Sequence, residues 1–249
     1  MRHAVMFPLA LFAAVPALAQ DSGTDAATSE ADPPVIGSID VSGGINATSD
    51  YRLRGENRAD GALQPTLTVT HESGFYIGAW GSNLSDNPRR GDIELDLYAG
   101  WSGSVGGALT GDVGVLRYIY PDRDRALGRT DYWEPYASVR GTLGPASAKL
   151  GVAYAPAQDA IGGGDNLYTF ADLSAGVPFT PLTLNAHLGR SAGSLTPGRN
   201  YWDWSLGADY ALPLGFTAGV RYVDTDVPKD APLADRYDAT VLVSLAFNF

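Results

Sequence analysis

The chain has 249 residues, of which 45% are hydrophobic and only 18% are charged, with 30 Gly, no Cys and a formal net charge of −11. Average domains carry about 25% charged residues and about 7% Gly, so this composition argues against long amphipathic helices. The lack of Cys excludes a disulfide framework, a Cys-ligated metal and a Cys nucleophile. The acidic balance also argues against general nucleic-acid binding.

The N-terminus has the features of a secretory signal peptide. A basic start precedes an apolar run, and residues 17–19 (Ala-Leu-Ala) form a small-x-small cleavage pattern. A membrane helix is disfavoured because Pro8 and Pro16 interrupt the short run. The sequence predicts a signal peptide at 1–19, a disordered acidic leader at 20–36 and one folded domain at 37–249.

From residue 37 onward, apolar and polar residues alternate with the period of a β-strand. Between 92 and 101 the odd positions carry Ile, Leu, Leu, Ala and Trp, and the even positions carry Asp, Glu, Asp, Tyr and Gly. A helix would mix these two sets around its circumference. The strands predicted in this way are 38–54, 62–72, 75–84, 92–101, 108–120, 132–143, 146–156, 167–177, 182–190, 201–212, 216–225 and 236–249.

The lengths of these strands and of their connections predict a membrane barrel. Strands in soluble proteins have about five or six residues, whereas a tilted strand that crosses a bilayer needs about nine to eleven. The connections alternate strictly between short and long. This pattern predicts an all-β fold, a 12-stranded antiparallel transmembrane β-barrel of outer-membrane type, with short periplasmic turns and longer extracellular loops.

The aromatic residues fit the same interpretation. Most of the large rings fall on the apolar face near strand ends, where they suit the lipid headgroup level. The last predicted strand alternates from Tyr237 to Phe247 and ends in Phe249. That ending resembles the C-terminal signal that the barrel-assembly machinery recognises in outer-membrane proteins. We therefore expect this machinery and outer-membrane lipid to be partners of the chain.

Several segments resemble the porins of the TorF family. They are TSDYRLRG at 48–55, HESGFY at 71–76, WGSN at 80–83, IELDLYAG at 93–100, YWE at 132–134, GPASAK at 144–149 and YVDTD at 222–226. The resemblance covers nearly all of the chain after the leader. It implies an outer-membrane barrel with a transport role, and it supplies neither a substrate nor established functional residues.

The polar face of the strands would line the lumen of a closed barrel. Acids outnumber bases there, and unpaired carboxylates in a pore attract cations. The predicted inward acids are Asp40, Asp50, Glu72, Asp92, Glu94, Asp96, Asp112, Glu134, Asp172, Asp203, Asp209 and Asp238, and the inward bases are Arg52, Arg140, Lys149 and Arg221. Asp50, Arg52 and Arg54 form the densest charged cluster, interpreted as a constriction or as salt bridges at the rim.

We therefore predict a passive channel for small hydrophilic solutes, with a preference for cations, no chemical step, no cofactor and no metal. A first alternative is a non-conducting barrel that binds a partner or supports the envelope. A second is a lipid hydrolase, in which the inward His187 would work with Asp172 or Ser174 on the neighbouring strand. A lone histidine in a lumen is more often a hydrogen-bonded wall residue.

Overall fold

A computed structural model describes residues 37–85 and 87–249. The predicted signal peptide and acidic leader lie outside the described residues. Within the described part, no helix combines the length and the apolar character needed to cross a membrane. The structure there consists of β-strands and short 3-10 turns.

Twelve strands form a closed antiparallel barrel, as predicted, and two shorter strands form a separate hairpin. Around the barrel, each strand pairs with its sequence neighbour, and β1 pairs with both β14 and β4. The strands are β1 (Ile39–Thr48), β2 (Tyr51–Leu53), β3 (Glu56–Ala59), β4 (Ala62–His71), β5 (Phe75–Asn83), β6 (Ile93–Gly106), β7 (Leu109–Ile119), β8 (Tyr132–Leu143), β9 (Ala146–Ala155), β10 (Asn166–Gly176), β11 (Leu182–Gly193), β12 (Tyr201–Ala211), β13 (Phe216–Thr225) and β14 (Thr240–Asn248).

The pairing of the first and last wall strands closes the ring. Ile45 in β1 lies opposite Phe247 in β14, and five consecutive residue pairs connect these two strands. A closed ring leaves no row of unpaired N–H and C=O groups at a sheet edge. Closure is what allows β-strands to cross lipid, where an unpaired backbone polar group has no water partner.

The two faces of the wall are reversed relative to a soluble barrel. In β6, Leu97 is 44% exposed on the outside, whereas Asp96 is 3% and Glu94 0% exposed on the inside. Leucine, valine, isoleucine and aromatic side chains cover the exterior along the other wall strands as well. This apolar exterior around a polar interior suits a lipid environment.

The connections alternate as predicted. Tight turns lie at 72–74, 107–108, 144–145, 177–181 and 212–215, and they form one rim, which we call the short-turn rim. Longer segments at 49–61, 84–92, 120–131, 156–165, 194–200 and 226–239 form the opposite rim, which we call the long-loop rim. Both ends of the barrel sequence, at β1 and β14, start and finish at the short-turn rim.

Four of the predicted strand boundaries are wrong by three residues or more. The strand predicted at 92–101 continues to Gly106, and the strand predicted at 182–190 continues to Gly193. The first wall strand ends at Thr48, not Arg54, and the residues that follow fold into the separate hairpin. The last strand starts at Thr240, and Tyr237 belongs to a 3-10 helix, where it is buried against Tyr201 with the ring centroids 5.2 Å apart. The alternation of side chains is the same in wall strands and in inward-folded segments, so periodicity alone could not separate them.

Tyr237 is therefore not on the lipid face, in contrast to the prediction. Phe247 and Phe249 do lie on the outside of β14 and its end, with ring centroids 6.3 Å apart, and Phe249 is exposed. Phe247 also packs against Phe216 at the short-turn rim, at 5.2 Å. A role of these rings in barrel assembly stays a prediction.

The exposed leucines of the wall allow a test of which face of the wall contacts lipid. Leu206 lies in the middle of β12 and points outward. We expect Leu206→Arg to lower the free energy of unfolding from lipid vesicles by about 2 to 4 kcal/mol, because the charge would enter the hydrocarbon. Phe179→Arg, at the tip of an exposed turn, is the matched control and should cost little. Equal costs for the two variants would contradict a lipid-facing position of Leu206.

Candidate functional site in the barrel lumen

A hairpin from the first long loop enters the lumen. We call residues 51–59, which comprise β2, β3 and the turn between them, the inner hairpin. Its two turn residues, Arg54 and Gly55, have positive φ values of 53° and 80°, as a two-residue hairpin turn of the I′ type requires. A Cβ atom on Gly55 would lie 2.3 Å from Cγ2 of Thr225 in β13. Glycine is therefore needed both for the turn and for its close approach to the wall.

The tip of the inner hairpin reaches the far side of the barrel. The Arg54 guanidinium lies 2.6 Å from Oε2 of Glu134 in β8 and 4.3 Å above the ring of Tyr168 in β10. The backbone carbonyl of Arg54 accepts a hydrogen bond of 2.9 Å from the Tyr201 hydroxyl in β12. The hairpin leaves the wall between β1 and β4, across the ring from these strands. It therefore spans the lumen near the long-loop rim.

The base of the hairpin is held to the near wall by a buried carboxylate. The hydroxyls of Tyr51 and Tyr120 donate to the two oxygens of Glu94, at 3.1 and 3.2 Å. Arg58 in β3 in turn donates to the Tyr120 hydroxyl at 3.4 Å. Asp50 and Arg52 pair with each other at 2.8 Å where the hairpin begins. Tyrosine hydroxyls thus connect the hairpin to the wall, and the charge of Arg58 interacts with that of Glu94.

A second group of polar side chains lies on β10, β11 and β12. Both ring nitrogens of His187 contact carboxylates, Nδ1 with Asp172 at 2.6 Å and Nε2 with Asp203 at 3.1 Å. The Tyr168 hydroxyl lies 2.8 Å from the same Nε2. His187 is thus an inward wall residue that links three neighbouring strands.

The wall below the hairpin carries further acids and their partners. On β5, β7 and β8, the Tyr76 hydroxyl donates to Asp112 at 2.7 Å and lies 2.5 Å from the Tyr136 hydroxyl. On β11 and β12, the Asn185 amide donates to Asp209 at 2.7 Å. Lys149 interacts electrostatically with Asp172 and Asp112, and Arg221 interacts with Asp209 and Asp172. Polar and charged groups therefore follow the lumen towards the short-turn rim.

The structure places the predicted lumen residues in three groups. Those buried inside the barrel are Glu94, Asp96, Asp112, Glu134, Lys149, Asp172, Asp203 and Asp209. Arg221 is partly buried in β13, and Arg140 is exposed near the end of β8. Those at the rims or in loops are Asp40, Glu72, Asp92 and Asp238, all exposed, and Asp50 with Arg52 at the base of the inner hairpin.

The rim acids have partners of their own. Glu72 accepts hydrogen bonds of 3.1 Å from the backbone and hydroxyl of Ser38. Asp238 pairs with Lys229 in the last long loop. At Asp92 it is the backbone N–H that makes the bond, donating to the Asp122 carboxylate at 2.9 Å. The parity of their sequence positions predicts a lumen position for Glu72, Asp92 and Asp238, but β4 ends before Glu72, and β6 and β14 begin after Asp92 and Asp238. Asp40 does lie in β1, but it is the second residue of that strand and is exposed at the short-turn rim.

Sequence reasoning missed the contribution of the inner hairpin to the lumen charge. The strand pattern places Arg54 at the outer end of the first strand and puts Glu56 and Arg58 in the connection that follows, outside the predicted lumen set. A signal was present, because Arg54-Gly55 is a two-residue connection between two short alternating stretches, Tyr51–Leu53 and Glu56–Ala59. Nothing in that signal shows whether such a hairpin points outward or into the barrel.

Most of the chain matches a known protein family. The profile of a family described as "Bacterial protein of unknown function (Gcw_chp)" matches residues 30–249. The chain belongs to the Gcw_chp family. No curated protein matches this Gcw_chp chain significantly.

Solved structures similar to this Gcw_chp barrel include outer-membrane porins. The KdgM porin has a TM-score of 0.56 at 9% sequence identity, with 84% of this chain and 99% of that chain covered. KdgM porin in complex with disordered oligogalacturonate gives 0.57 at 9%, with the same coverage. The NanC porin gives 0.55 at 9%, with 83% and 97% covered. At this identity the likeness concerns the fold, which is that of 12-stranded porin-like barrels.

Proposed function

We propose that the protein is an outer-membrane channel for passive diffusion of small hydrophilic solutes, with the inner hairpin as its narrowest point. The observation that carries this proposal is the closed barrel with an apolar exterior and a charged interior. A lumen lined by ionisable side chains is costly unless water or ions reach it. The experiment is single-channel recording of the purified protein in planar bilayers, in which discrete conductance steps are expected.

Two features of the lumen support hydration. Asp96 is 3% exposed, and among the described residues its Oδ1 has no protein hydrogen-bond partner. A buried carboxylate oxygen left without any partner costs at least about 1 to 3 kcal/mol, so water or a cation is expected beside it. Arg140, near the short-turn rim, is exposed. The resemblance of several segments to TorF porins agrees with a channel function. Membership of the TorF family stays a prediction.

We further infer a modest preference for cations over anions. After the inner hairpin is included, the wall and hairpin still present more carboxylates than cationic side chains to the lumen. The acids are Asp50, Glu56, Glu94, Asp96, Asp112, Glu134, Asp172, Asp203 and Asp209, and the bases are Arg52, Arg54, Arg58, Arg140, Lys149 and Arg221. The hairpin arginines offset part of the charge, so the preference should be weaker than the strand pattern alone predicts.

The reversal potential in a salt gradient tests this preference. We expect a cation-selective potential for the unmodified protein, and a shift towards zero for the double variant Asp112→Asn, Asp209→Asn, because both carboxylates lie away from the hairpin. Asp40→Asn, which removes an exposed carboxylate at the start of β1, is the control and should leave the potential nearly unchanged. An anion-selective potential of the unmodified protein would overturn the inference.

The oligogalacturonate in the KdgM complex is a polyanion, and an excess of lumen carboxylates disfavours such a solute here. We therefore propose cationic or neutral hydrophilic solutes as the transported class.

A second candidate function is a barrel that does not conduct. The observation that favours it is the filling of the lumen by the inner hairpin, which leaves Glu134 2% and Tyr118 0% exposed. The two candidates differ in one measurement. A protein that inserts into bilayers without any conductance, and that conducts only after removal of the inner hairpin, would support the non-conducting barrel.

The lumen histidine gives little support to a hydrolase. A general base for a serine needs one ring nitrogen directed at the hydroxyl, and in this structure both nitrogens of His187 contact aspartates. This arrangement fits a wall residue that ties strands together.

A further inference from the structure

Three arginines from three different loops surround one glutamate at the long-loop rim. The Glu56 carboxylate, in the inner hairpin, lies 2.9 Å from Nε of Arg58 in the same hairpin. Arg90 of the second long loop donates to both Glu56 oxygens, at 3.0 and 3.3 Å. Arg236 of the last long loop approaches to 3.9 Å. One carboxylate thus faces three guanidinium groups.

The cluster keeps a positive surplus. Burial alone would raise the pKa of Glu56, but the charges of Arg58 and Arg90 outweigh it and hold the pKa below its ordinary value. Glu56 is therefore ionised at neutral pH and contributes one negative charge. Arg58 also interacts electrostatically with two acids of the wall, Glu94 and Asp96, which compensate its charge. Among the described residues, Arg90 and Arg236 form ion pairs only with Glu56. These two arginines and one glutamate leave the site with a positive surplus.

A cavity of about 70 Å³ opens beside these arginines. Its polar lining consists of Arg58, Arg90 and Arg236 together with Asn57, Ser85 and Asn87. Among the described residues, none of the lining side chains is a carboxylate. One water needs about 10 to 15 Å³, so the cavity has room for several waters or for one tetrahedral oxyanion. Its lining offers guanidinium, amide and hydroxyl donors to such a group.

We propose that this cavity is a binding site for a phosphate group. Guanidinium groups bind phosphate oxygens through paired, charge-assisted hydrogen bonds, and the surplus positive charge favours a multiply charged anion. The same chemistry occurs in free phosphate or phosphorylated solutes and in the phosphate groups of lipopolysaccharide. The site lies at the rim, on loops, and does not depend on whether the barrel conducts.

Titration of the purified full-length protein with inorganic phosphate, followed by calorimetry, tests the site. We expect saturable binding, and a loss of affinity on the order of tenfold or more for the double variant Arg90→Gln, Arg236→Gln. Arg89→Gln is the matched control, because Arg89 is the exposed neighbour of Arg90 and does not line the cavity. Heat-dependent gel mobility shows that each variant forms a folded barrel.

Glu56→Gln tests whether the positive charge of the arginines drives phosphate binding, because this variant should raise the affinity instead of lowering it. The amide keeps one oxygen as an acceptor and removes the negative charge that competes for the arginines. We therefore expect tighter phosphate binding by this variant, whereas a merely structural role of Glu56 would weaken or not change it. Unchanged or weaker binding by the folded Glu56→Gln protein would overturn the proposed site.

A parallel titration with lipopolysaccharide, and with the same material after enzymatic removal of its phosphates, distinguishes the two sources. Binding of inorganic phosphate indicates a soluble ligand. Binding only of phosphorylated lipopolysaccharide, lost in Arg90→Gln, Arg236→Gln, indicates a lipid phosphate. No saturable binding of either probe, or an equal loss in Arg89→Gln, would overturn the proposal.

Discussion

We expect that removal of the inner hairpin raises the single-channel conductance at least about threefold, because conduction through a narrow pore depends on its smallest cross-section. The barrel wall offers a natural place for this change. Ser49 and Gly61 are joined by a backbone hydrogen bond of 3.0 Å, and Thr48 lies opposite Ala62. Replacement of residues 50–60 by Asn-Gly would thus close β1 and β4 with a two-residue hairpin turn.

A control deletion separates this effect from a general loosening of the long loops. Residues 125–128 lie in the third long loop and are all exposed. We expect their removal to leave the conductance unchanged. If the variant without the inner hairpin forms a folded barrel and conducts like the unmodified protein, the hairpin is not the narrowest point of the pathway.

The second large effect is expected at the ion pair between the hairpin tip and the far wall. The side chains of Arg54 and Glu134 are 10% and 2% exposed and lie 2.6 Å apart. Arg54→Met removes the cation and leaves a buried carboxylate without its charge partner. We expect a loss of about 3 kcal/mol in the free energy of unfolding, measured by urea titration in lipid vesicles.

Glu134→Gln in the same chain should recover part of this loss, because the uncompensated charge is then absent as well. The four proteins of the double-mutant cycle give the coupling energy of the pair. Arg117→Met is the matched control, since Arg117 lies over the ring of Trp133 at 4.7 Å and should contribute only about 0.5 to 1 kcal/mol. A coupling energy between Arg54 and Glu134 near zero would contradict a structural role of the pair in holding the hairpin.

The conductance of the Arg54→Met variant connects the stability experiment with the hairpin deletion. If the Arg54–Glu134 pair holds the hairpin across the lumen, Arg54→Met should raise the conductance or make it fluctuate between levels, and Arg117→Met should not. A destabilised variant with unchanged conductance would mean that the hairpin remains in place through its other contacts, such as Tyr51 with Glu94.

Much of the fold could be predicted from local pattern alone. Alternation in a segment such as Ile93–Trp101 shows which residues face lipid and which face inward, because the side chains of a strand alternate strictly. The strict alternation of short and long connections then predicts a single up-and-down order. The buried positions of Glu94 and Asp96 and the exposed position of Leu97 follow directly from that pattern.

The failures also have a physical reason. The segment at 51–59 has the same period of two as the wall, yet it has no wall partner, because β4 pairs with β1 and not with β3. In its inward direction, the hairpin forms an ion pair between Arg54 and Glu134, which lies eighty positions later in the chain. Likewise Tyr237 continues the alternation of the last strand in sequence and is nevertheless packed on Tyr201.

The sequence by itself determined the strand number, the two faces of the wall and the arrangement of the rims, because these properties depend on residue order and on the fixed geometry of a strand. Only the tertiary structure decided which charges meet. The inner hairpin brings Arg54 and Arg58 to lumen carboxylates, and three distant loops place Arg58, Arg90 and Arg236 around Glu56. Interactions between charges depend on distance in space, and strand periodicity carries no information about distances across a lumen.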